Sequence, residues 1–267
     1  MLTSMRGLIA ASLIAATALA ATPAFADETD PPSDITITGS AAIVSQYRFR
    51  GLSQSNNQPV VQGSITVSHA SGFYVGTWGS SATAGAGPIN IGGTEIDVFG
   101  GFTHGLGNSG VTVDTGVYGY IYPGATAGNY YEVYGSLAKT LGPATAKVGV
   151  YYAPPQKVFN YNFTSPTRHN TYVYGELSSG IPGTPITLHS HLGHTGGGFD
   201  YGKQYLDYNV GVTYKMRNLS FDASLVGTDL NNSDINSGFG CANNLGCINL
   251  YNRMSKTVGV FSVTASF

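Results

Sequence analysis

The sequence predicts an all-β fold, a transmembrane antiparallel β-barrel of about twelve strands, on three observations. Apolar and polar residues alternate with period 2 in one segment after another, as in strands that face two different environments. Many segments match the about 9 to 11 residues of a transmembrane β-strand and exceed the soluble average of about 5 to 6. Only 10% of the residues are charged, against about 25% in soluble domains. A soluble β-sandwich or a secreted adhesin fits these observations less well.

The first 26 residues are predicted to be a secretory signal peptide. Arg6 gives a positive start, residues 8–21 are apolar, and the A-F-A run at 24–26 fits a cleavage site. The apolar run is shorter than the about 20 residues of a membrane-spanning helix. Removing Arg6 lowers the number of Lys and Arg from 12 to 11 against 14 Asp and Glu. The barrel domain, residues 27–267, therefore has no basic surface for nucleic acid.

Twelve alternating segments follow, an even number as single-chain bacterial barrels require. In the segment 110–122, for example, Val111, Val113 and Val117 share one face, while Asp114 and Tyr118 share the other. The predicted strands are 35–50, 58–69, 72–82, 93–104, 110–122, 129–140, 144–153, 170–179, 185–195, 203–216, 218–229 and 256–267. The second, third and ninth alternate poorly, so their facing stays open.

The connections between these strands alternate in length. The first, third and later odd connections are the longer ones, and they include 154–169 and 230–255. The even connections are short and rich in Gly, Pro, Asn and Ser, which favour tight turns. Outer-membrane barrels have short periplasmic turns and longer outer loops. We therefore expect both chain ends on the periplasmic side.

Aromatic residues near the strand ends predict two girdles at the membrane interfaces. On the periplasmic side these are Phe102, Tyr214, Phe221 and Phe267, and on the outer side Tyr47, Phe49, Tyr131 and Tyr152. The C-terminal Phe267 shares a face with Phe261 and Val263, which resembles the signal that the barrel assembly machinery reads. Ala265 is smaller than the residue usual in that signal.

The run YRFRGLSQS at 47–55, followed by Pro59 and by Gln-Gly at 62–63, resembles the opening motif of the TorF-type family of proteobacterial porins. Strands with an acid followed by an aromatic residue and glycine, at 95–100 and 132–135, are similar to that family as well. The resemblance implies an outer-membrane barrel with a pore, and it implies no particular solute. The loop 229–255, with its two cysteines, departs from the family pattern.

The charged residues of the outer strand halves predict a pore constriction. Extending the alternation from Ile35 turns Tyr47 and Phe49 to lipid and two arginines inward, since a charge facing lipid costs about 2–4 kcal/mol at the midplane. The predicted constriction residues are Arg48, Arg50, Glu95, Asp97, Glu132 and Asp207. Two interpretations stay open: a mixed-charge filter that selects solutes, and a salt-bridge network that only neutralises buried charge.

Further residues on the inner face are predicted to line the lumen, namely Asp114, Tyr118, Tyr120, Lys147, Tyr172, Tyr174, Glu176, Lys215 and Asp222. Acids outnumber bases in the predicted lumen, so we expect a weak preference for cations. The inward tyrosines predict either a narrow lumen or a track for a sugar-like solute.

Two further sets of residues, the cysteines and a pair of histidines, have side chains capable of covalent or metal chemistry. Cys241 and Cys247 are the only cysteines, and in an exported protein we expect them to form a disulfide within the longest loop. His189 and His191 share the inward face, but no third metal ligand is evident, so they are interpreted as polar lumen residues. No catalytic motif is present, and the sequence predicts no catalytic residue, metal or cofactor.

The predicted function is passive diffusion of small hydrophilic solutes through a barrel whose other partner is outer-membrane lipid. The alternative is a non-conducting barrel that acts in adhesion or binding through its long outer loops. The sequence specifies neither the solute nor the oligomeric state.

Overall fold

Twelve antiparallel strands close into one barrel in the computed structural model, which describes residues 34–83, 91–159, 168–200, 203–238, 241 and 243–267. The predicted signal peptide lies outside the described residues. The barrel strands are β1 (Ile35–Val44), β4 (Val60–His69), β5 (Phe73–Ser81), β6 (Thr94–Gly105), β7 (Val111–Ile121), β8 (Tyr130–Leu141), β9 (Ala144–Ala153), β10 (Asn170–Gly180), β11 (Ile186–Gly197), β12 (Tyr205–Met216), β13 (Leu219–Thr228) and β14 (Val258–Ser266).

The predicted number of strands is therefore confirmed, and the bounds agree to within two residues everywhere except in the first strand. The predicted strand 35–50 was too long, because β1 ends at Val44. Two short strands, β2 (Arg48–Phe49) and β3 (Leu52–Ser53), pair with each other outside the barrel ladder.

Each barrel strand pairs with its neighbours in sequence, and β1 closes the cylinder by pairing with both β4 and β14. The closing ladder extends from Ser40 opposite Ser266 to Val44 opposite Ser262. Phe267 continues it, since its N–H donates to the carbonyl of Gly39 and its carbonyl accepts from the Gly39 N–H. Closure of this kind satisfies strand backbone groups without a free sheet edge, which a lipid environment requires.

The outside of the barrel is apolar, and the inside carries both polar and aromatic side chains. Ile37, Val210 and Phe261 are more than half exposed on the outer surface, and many Val, Leu and Ile side chains accompany them. So large an apolar surface is stable in lipid and not in water. Tyr131 and Tyr152 are exposed near the ends of their strands, as expected for a girdle. A lipid-facing surface of this kind is typical of outer-membrane barrels.

The connections differ between the two ends. Short turns at 70–72, 106–110, 142–143, 181–185 and 217–218 lie at one end, which is the periplasmic end by the usual rule. The opposite end has the long connections, and the last of these contains α1 (Asn232–Gly238) and α2 (Leu245–Ser255). Among the described residues, no helix has the length and apolarity that a membrane crossing needs.

Replacing Val210 with lysine tests the lipid-facing surface. Val210 lies in the middle of β12 and is 56% exposed on the outer surface. We expect Val210→Lys to lower the free energy of unfolding by about 2–4 kcal/mol, and Leu141→Lys, at the end of β8, by about 1 kcal/mol at most, because the cost falls towards the interface. Urea unfolding in micelles, followed by the fluorescence of the single tryptophan Trp78, measures both. Equal losses at the two positions would contradict the assigned membrane depth.

Candidate functional site

The segment after β1 folds back into the barrel as a hairpin, here called the plug hairpin and defined as residues 45–59. Arg50 and Gly51 form its two-residue turn with φ of 46° and 79°, and Phe49 pairs with Leu52 on either side. Two positive φ angles are typical of a type I′ hairpin turn. The Ser55 hydroxyl accepts a hydrogen bond from the Tyr47 N–H at 2.9 Å, and the Ser53 hydroxyl accepts one from the Asn57 N–H at 3.0 Å.

The aromatic residues of the plug hairpin lie in the lumen, which corrects the prediction that they face lipid. Tyr47 is 2% exposed and its ring is 5.5 Å from that of Trp78. Phe49 lies edge-on to Tyr120 at 5.7 Å and to Phe199 at 6.4 Å. The prediction failed because it extended the alternation of β1 beyond Val44. A lumen lined with aromatic rings offers these side chains the apolar environment that the interface would otherwise provide.

Arg48 meets no acid among the described residues, which corrects its place in the predicted constriction. Its guanidinium donates to the carbonyls of Gly51 at 3.0 Å and Met254, and to the amide oxygen of Asn57 at 2.9 Å. Met254 lies at the C-terminal end of α2, where helix carbonyls lack partners and favour a cation. Burial lowers the pKa of Arg48 to about 10, so the side chain remains charged at neutral pH. Arg48 therefore joins the plug hairpin to the connection that contains α1 and α2, here called the helical loop.

Arg50 crosses the lumen and meets Glu132, one of the predicted constriction acids. Its Nη2 donates to Glu132 Oε2 at 2.6 Å, and the two side chains are 4% and 0% exposed. The guanidinium carbon lies 4.3 Å from the centre of the Tyr172 ring and 4.8 Å from that of Phe49. A buried charge-assisted hydrogen bond combined with aromatic faces holds a guanidinium firmly.

Four buried carboxylates of the lumen and the partly exposed Asp114 each accept a hydrogen bond from a tyrosine. Tyr118 donates to Asp97 at 3.0 Å, Tyr120 to Glu132 at 3.0 Å, Tyr172 to Asp207 at 3.0 Å, Tyr122 to Glu95 at 3.5 Å and Tyr74 to Asp114 at 2.5 Å. A phenol solvates a carboxylate without adding a charge. The inner tyrosines therefore replace part of the water that these acids lose on burial.

Aromatic rings from two outer connections complete the closure of the mouth. Phe159, in the short turn Lys157–Phe159, and Phe199, after β11, are both buried and lie 4.9 Å apart. Both contact Tyr130, which stacks on Tyr120 at 4.2 Å. Together with Phe49 these rings fill the outer end of the lumen.

The periplasmic half of the lumen is more open. Glu176 and Asp222 keep 32% and 14% of their side chains exposed, whereas Glu132 keeps none. His189 contacts Asp222 at 2.7 Å, and His191 lies 3.3 Å from both Glu176 and Asp207. The two histidines thus contact different carboxylates. Within the described ranges, no group of three His, Cys, Asp or Glu side chains is arranged to hold a metal ion.

The longest connection covers the plug hairpin from outside. Cys241 and Cys247 form a disulfide, which links the segment after α1 to α2. Arg253 of α2 donates to Asn56 at 2.6 Å, and its carbonyl accepts from Asn57 at 3.2 Å. The helical loop and the plug hairpin are therefore packed together as one lid.

The predicted lumen residues lie on the inner face, and Lys147 sits 5.6 Å from the Tyr174 ring. Lys215 is half-buried on that face. Sequence reasoning missed Tyr130 and Tyr205, although each lies two residues before a predicted acid and so shares its face. It also missed Phe159 and Phe199, for which the connections give no periodic signal.

The pair of Arg50 and Glu132 can be tested by comparing a single variant with a double variant. Arg50→Met leaves the Glu132 carboxylate buried without its cation, so we expect a loss of about 3–5 kcal/mol in the free energy of unfolding. Adding Glu132→Gln should restore much of that loss. Arg217→Met is the matched control, since Arg217 has a similar φ of 56° but is exposed in a periplasmic turn. Urea titration monitored at Trp78 measures all four proteins, and equal losses in single and double variants would refute the pairing.

Comparison with solved structures finds porins of the same architecture. The NanC porin has a TM-score of 0.53 at 12% identity, with 87% of this chain and 99% of that chain covered. The KdgM porin in complex with disordered oligogalacturonate has a TM-score of 0.51 at 10% identity, with 87% and 98% covered. At this identity the likeness shows the fold alone.

Comparisons with curated proteins and with protein families give two further findings. No curated protein matches the chain. A family model described as "Bacterial protein of unknown function (Gcw_chp)" matches residues 28–267, which is nearly the whole chain. This chain belongs to the Gcw_chp family.

Proposed function

We propose that this barrel is a porin for small hydrophilic solutes whose outer mouth is closed by the plug hairpin until the hairpin moves. The observation that carries the proposal is the gradient inside the lumen. The periplasmic half is polar and partly exposed, while the outer half is filled by side chains that are not part of the barrel wall. The periplasmic half of the lumen, with its charged residues, is here called the vestibule. A barrel that served only as a scaffold would need neither this vestibule nor a separate lid.

The vestibule is built from residues of both charges. Asp114, Lys147, Glu176, Lys215 and Asp222 are partly exposed on the inner face of five different strands. Burying charges costs free energy unless they are solvated, so a ring of exposed charges is consistent with water in this half of the lumen.

The plug hairpin is held by contacts that can be exchanged for water. No ladder pairing joins β2 or β3 to a barrel strand among the described residues. One ion pair, ring packing, hydrogen bonds to the helical loop, and hydrogen bonds of its base to β14 and Thr83 retain it. Gly51 allows the turn of the plug hairpin to lie directly against the barrel wall. A Cβ there would lie 2.5 Å from Thr228 Cγ2 and 2.8 Å from Asp207 Cβ.

Two resemblances support the proposal. NanC and KdgM are porins, and KdgM was solved with oligogalacturonate. The opening motif at 47–55 resembles that of the TorF-type porins, and in this chain the motif is the plug hairpin itself. Phe267, which is 62% exposed at the barrel seam, is in our proposal the residue that the assembly machinery recognises.

Replacing Gly51 with alanine should open the pore. The added Cβ clashes with β12 and β13, and the φ of 79° disfavours any other residue, so the plug hairpin has to leave its site. In planar bilayers we expect at least about a tenfold longer open time than in wild type, which corresponds to about 1.4 kcal/mol. Gly180→Ala is the control, because no atom lies within 4 Å of its Cβ. If neither wild type nor Gly51→Ala conducts ions or swells liposomes with a small solute, the barrel is non-conducting and the adhesion role of its outer loops is favoured.

The open pore should prefer cations. With the plug hairpin displaced, Glu95, Asp97, Glu132 and Asp207 face the lumen without Arg50. A reversal potential measured across a potassium chloride gradient should therefore favour potassium in Gly51→Ala, and adding Asp207→Asn should weaken the preference. Leu206→Asn is the control, because it introduces the same side chain one residue away on the lipid-facing side and leaves the charge of the lumen unchanged. A reversal potential that favours chloride would contradict the charge assignment.

A further inference from the structure

We infer that Arg50 occupies a recognition site for a free solute cation bearing a guanidinium group, and that such a solute opens the barrel by replacing it. This inference rests on the proposed porin function and names its solute class. The cation site is defined here by Glu132, Tyr172, Tyr151, Phe199 and the position of the Arg50 guanidinium.

The cation site has the composition of a site for organic cations. The guanidinium carbon lies 4.3 Å from the Tyr172 ring centre, 5.7 Å from that of Tyr151 and 6.0 Å from that of Phe199. Aromatic faces around a cation, together with one carboxylate, provide cation–π attraction and a charge-assisted hydrogen bond. These wall residues belong to strands or loops outside the plug hairpin, so the site persists when the hairpin leaves.

Arg50 uses this site incompletely. An arginine and a carboxylate pair best through two parallel hydrogen bonds. Here only Nη2 and Oε2 are joined, while Arg50 Nη1 and Glu132 Oε1 are both buried and have no hydrogen-bond partner among the described residues. Asp207 Oδ2 is likewise buried without a partner. A guanidinium that is free of the chain can turn to make the forked pair that the tethered one does not make.

The backbone of the plug hairpin also disfavours the bound position. Arg50 has a φ of 46°, a left-handed conformation that is unfavourable for a residue other than glycine. The contacts of its side chain must offset that cost. When a solute takes over those contacts, the turn loses what holds it in the left-handed region.

The charge around the cation site selects the sign of the solute. Glu95 and Asp97 are almost fully buried, and Asp207 lies behind Tyr172 through its hydrogen bond. Withdrawal of Arg50 alone would leave Glu132 buried without a cation, which is strongly unfavourable. Entry of another cation removes that penalty, so opening and cation binding favour each other by linkage. An anion or a neutral sugar gives no such coupling.

The test uses the mature barrel in micelles and in bilayers, with methylguanidinium as the probe. Trp78 fluorescence reports the plug hairpin, because Tyr47 packs on Trp78. Arg50→Gln removes the tethered competitor, so we expect it to bind methylguanidinium at least about tenfold more tightly than wild type. Adding Glu132→Gln should abolish the gain. Arg217→Gln, the same change at an exposed arginine with a φ of 56°, should bind as wild type does.

The outcomes separate the two proposals. If Arg50→Gln binds methylguanidinium no better than wild type, or binds glycerol or acetate equally well, the inference is wrong. If the variant conducts small solutes without responding to methylguanidinium, the porin function stands and the inference falls. If it binds the probe and no variant conducts, the site stands and the porin function falls. Should Arg50→Gln fail to fold, Arg50→Lys keeps the charge without the planar fork and should still bind the probe more tightly than wild type.

Discussion

The buried ion pair between Arg50 and Glu132 is the contact on which the closed mouth depends. The two short strands of the plug hairpin have no ladder pairing with the barrel among the described residues, and the ion pair joins the tip of the hairpin to the outer end of β8. Tyr120 donates to the same Glu132 oxygen, and Phe49 packs on Tyr120. Ring packing and the ion pair therefore hold the tip of the hairpin at the same place on the wall.

A second constraint explains why so charge-poor a chain has so many tyrosines. A barrel lumen crowded by its own plug has little room for water, yet it holds carboxylates that need hydrogen-bond donors. Tyrosine supplies a donor at the end of a large ring, so it fills space and solvates an acid together. Tyr118, Tyr120 and Tyr172 each do both, since they stack on a neighbouring ring and donate to a carboxylate.

The sequence predicts the barrel well because period 2 is a local property. The alternation within each strand indicates which face meets lipid, as residues 111–118 illustrate, and no knowledge of distant contacts is needed. The plug hairpin is different. Tyr47 and Phe49 alternate with arginines as they would in a strand, and only contacts with Trp78 and Phe199, far away in the chain, reveal that they turn inward.

The same limit applies to the arginines. Arg48 and Arg50 differ by two positions and share Phe49 as a neighbour, yet one binds the C-terminal end of α2 and the other binds a barrel carboxylate. The tight turn at Arg50 and Gly51 separates them by reversing the chain. Nothing in the residue types alone decides which arginine meets the acid.

A plug that serves a pore has to be neither too tight nor too loose. Shifting an equilibrium from 99:1 closed to 1:99 needs about 5.5 kcal/mol of differential binding, so a closed state stabilised by much more than a few kcal/mol would never open. The lid combines opposing features accordingly. Arg48 and Arg253 fasten it to the helical loop, while the left-handed Arg50 and its single bond to Glu132 weaken its hold on the wall. The strained turn lies at the tip that enters the lumen, and the firm contacts lie at the base, so we expect the tip to leave its site first.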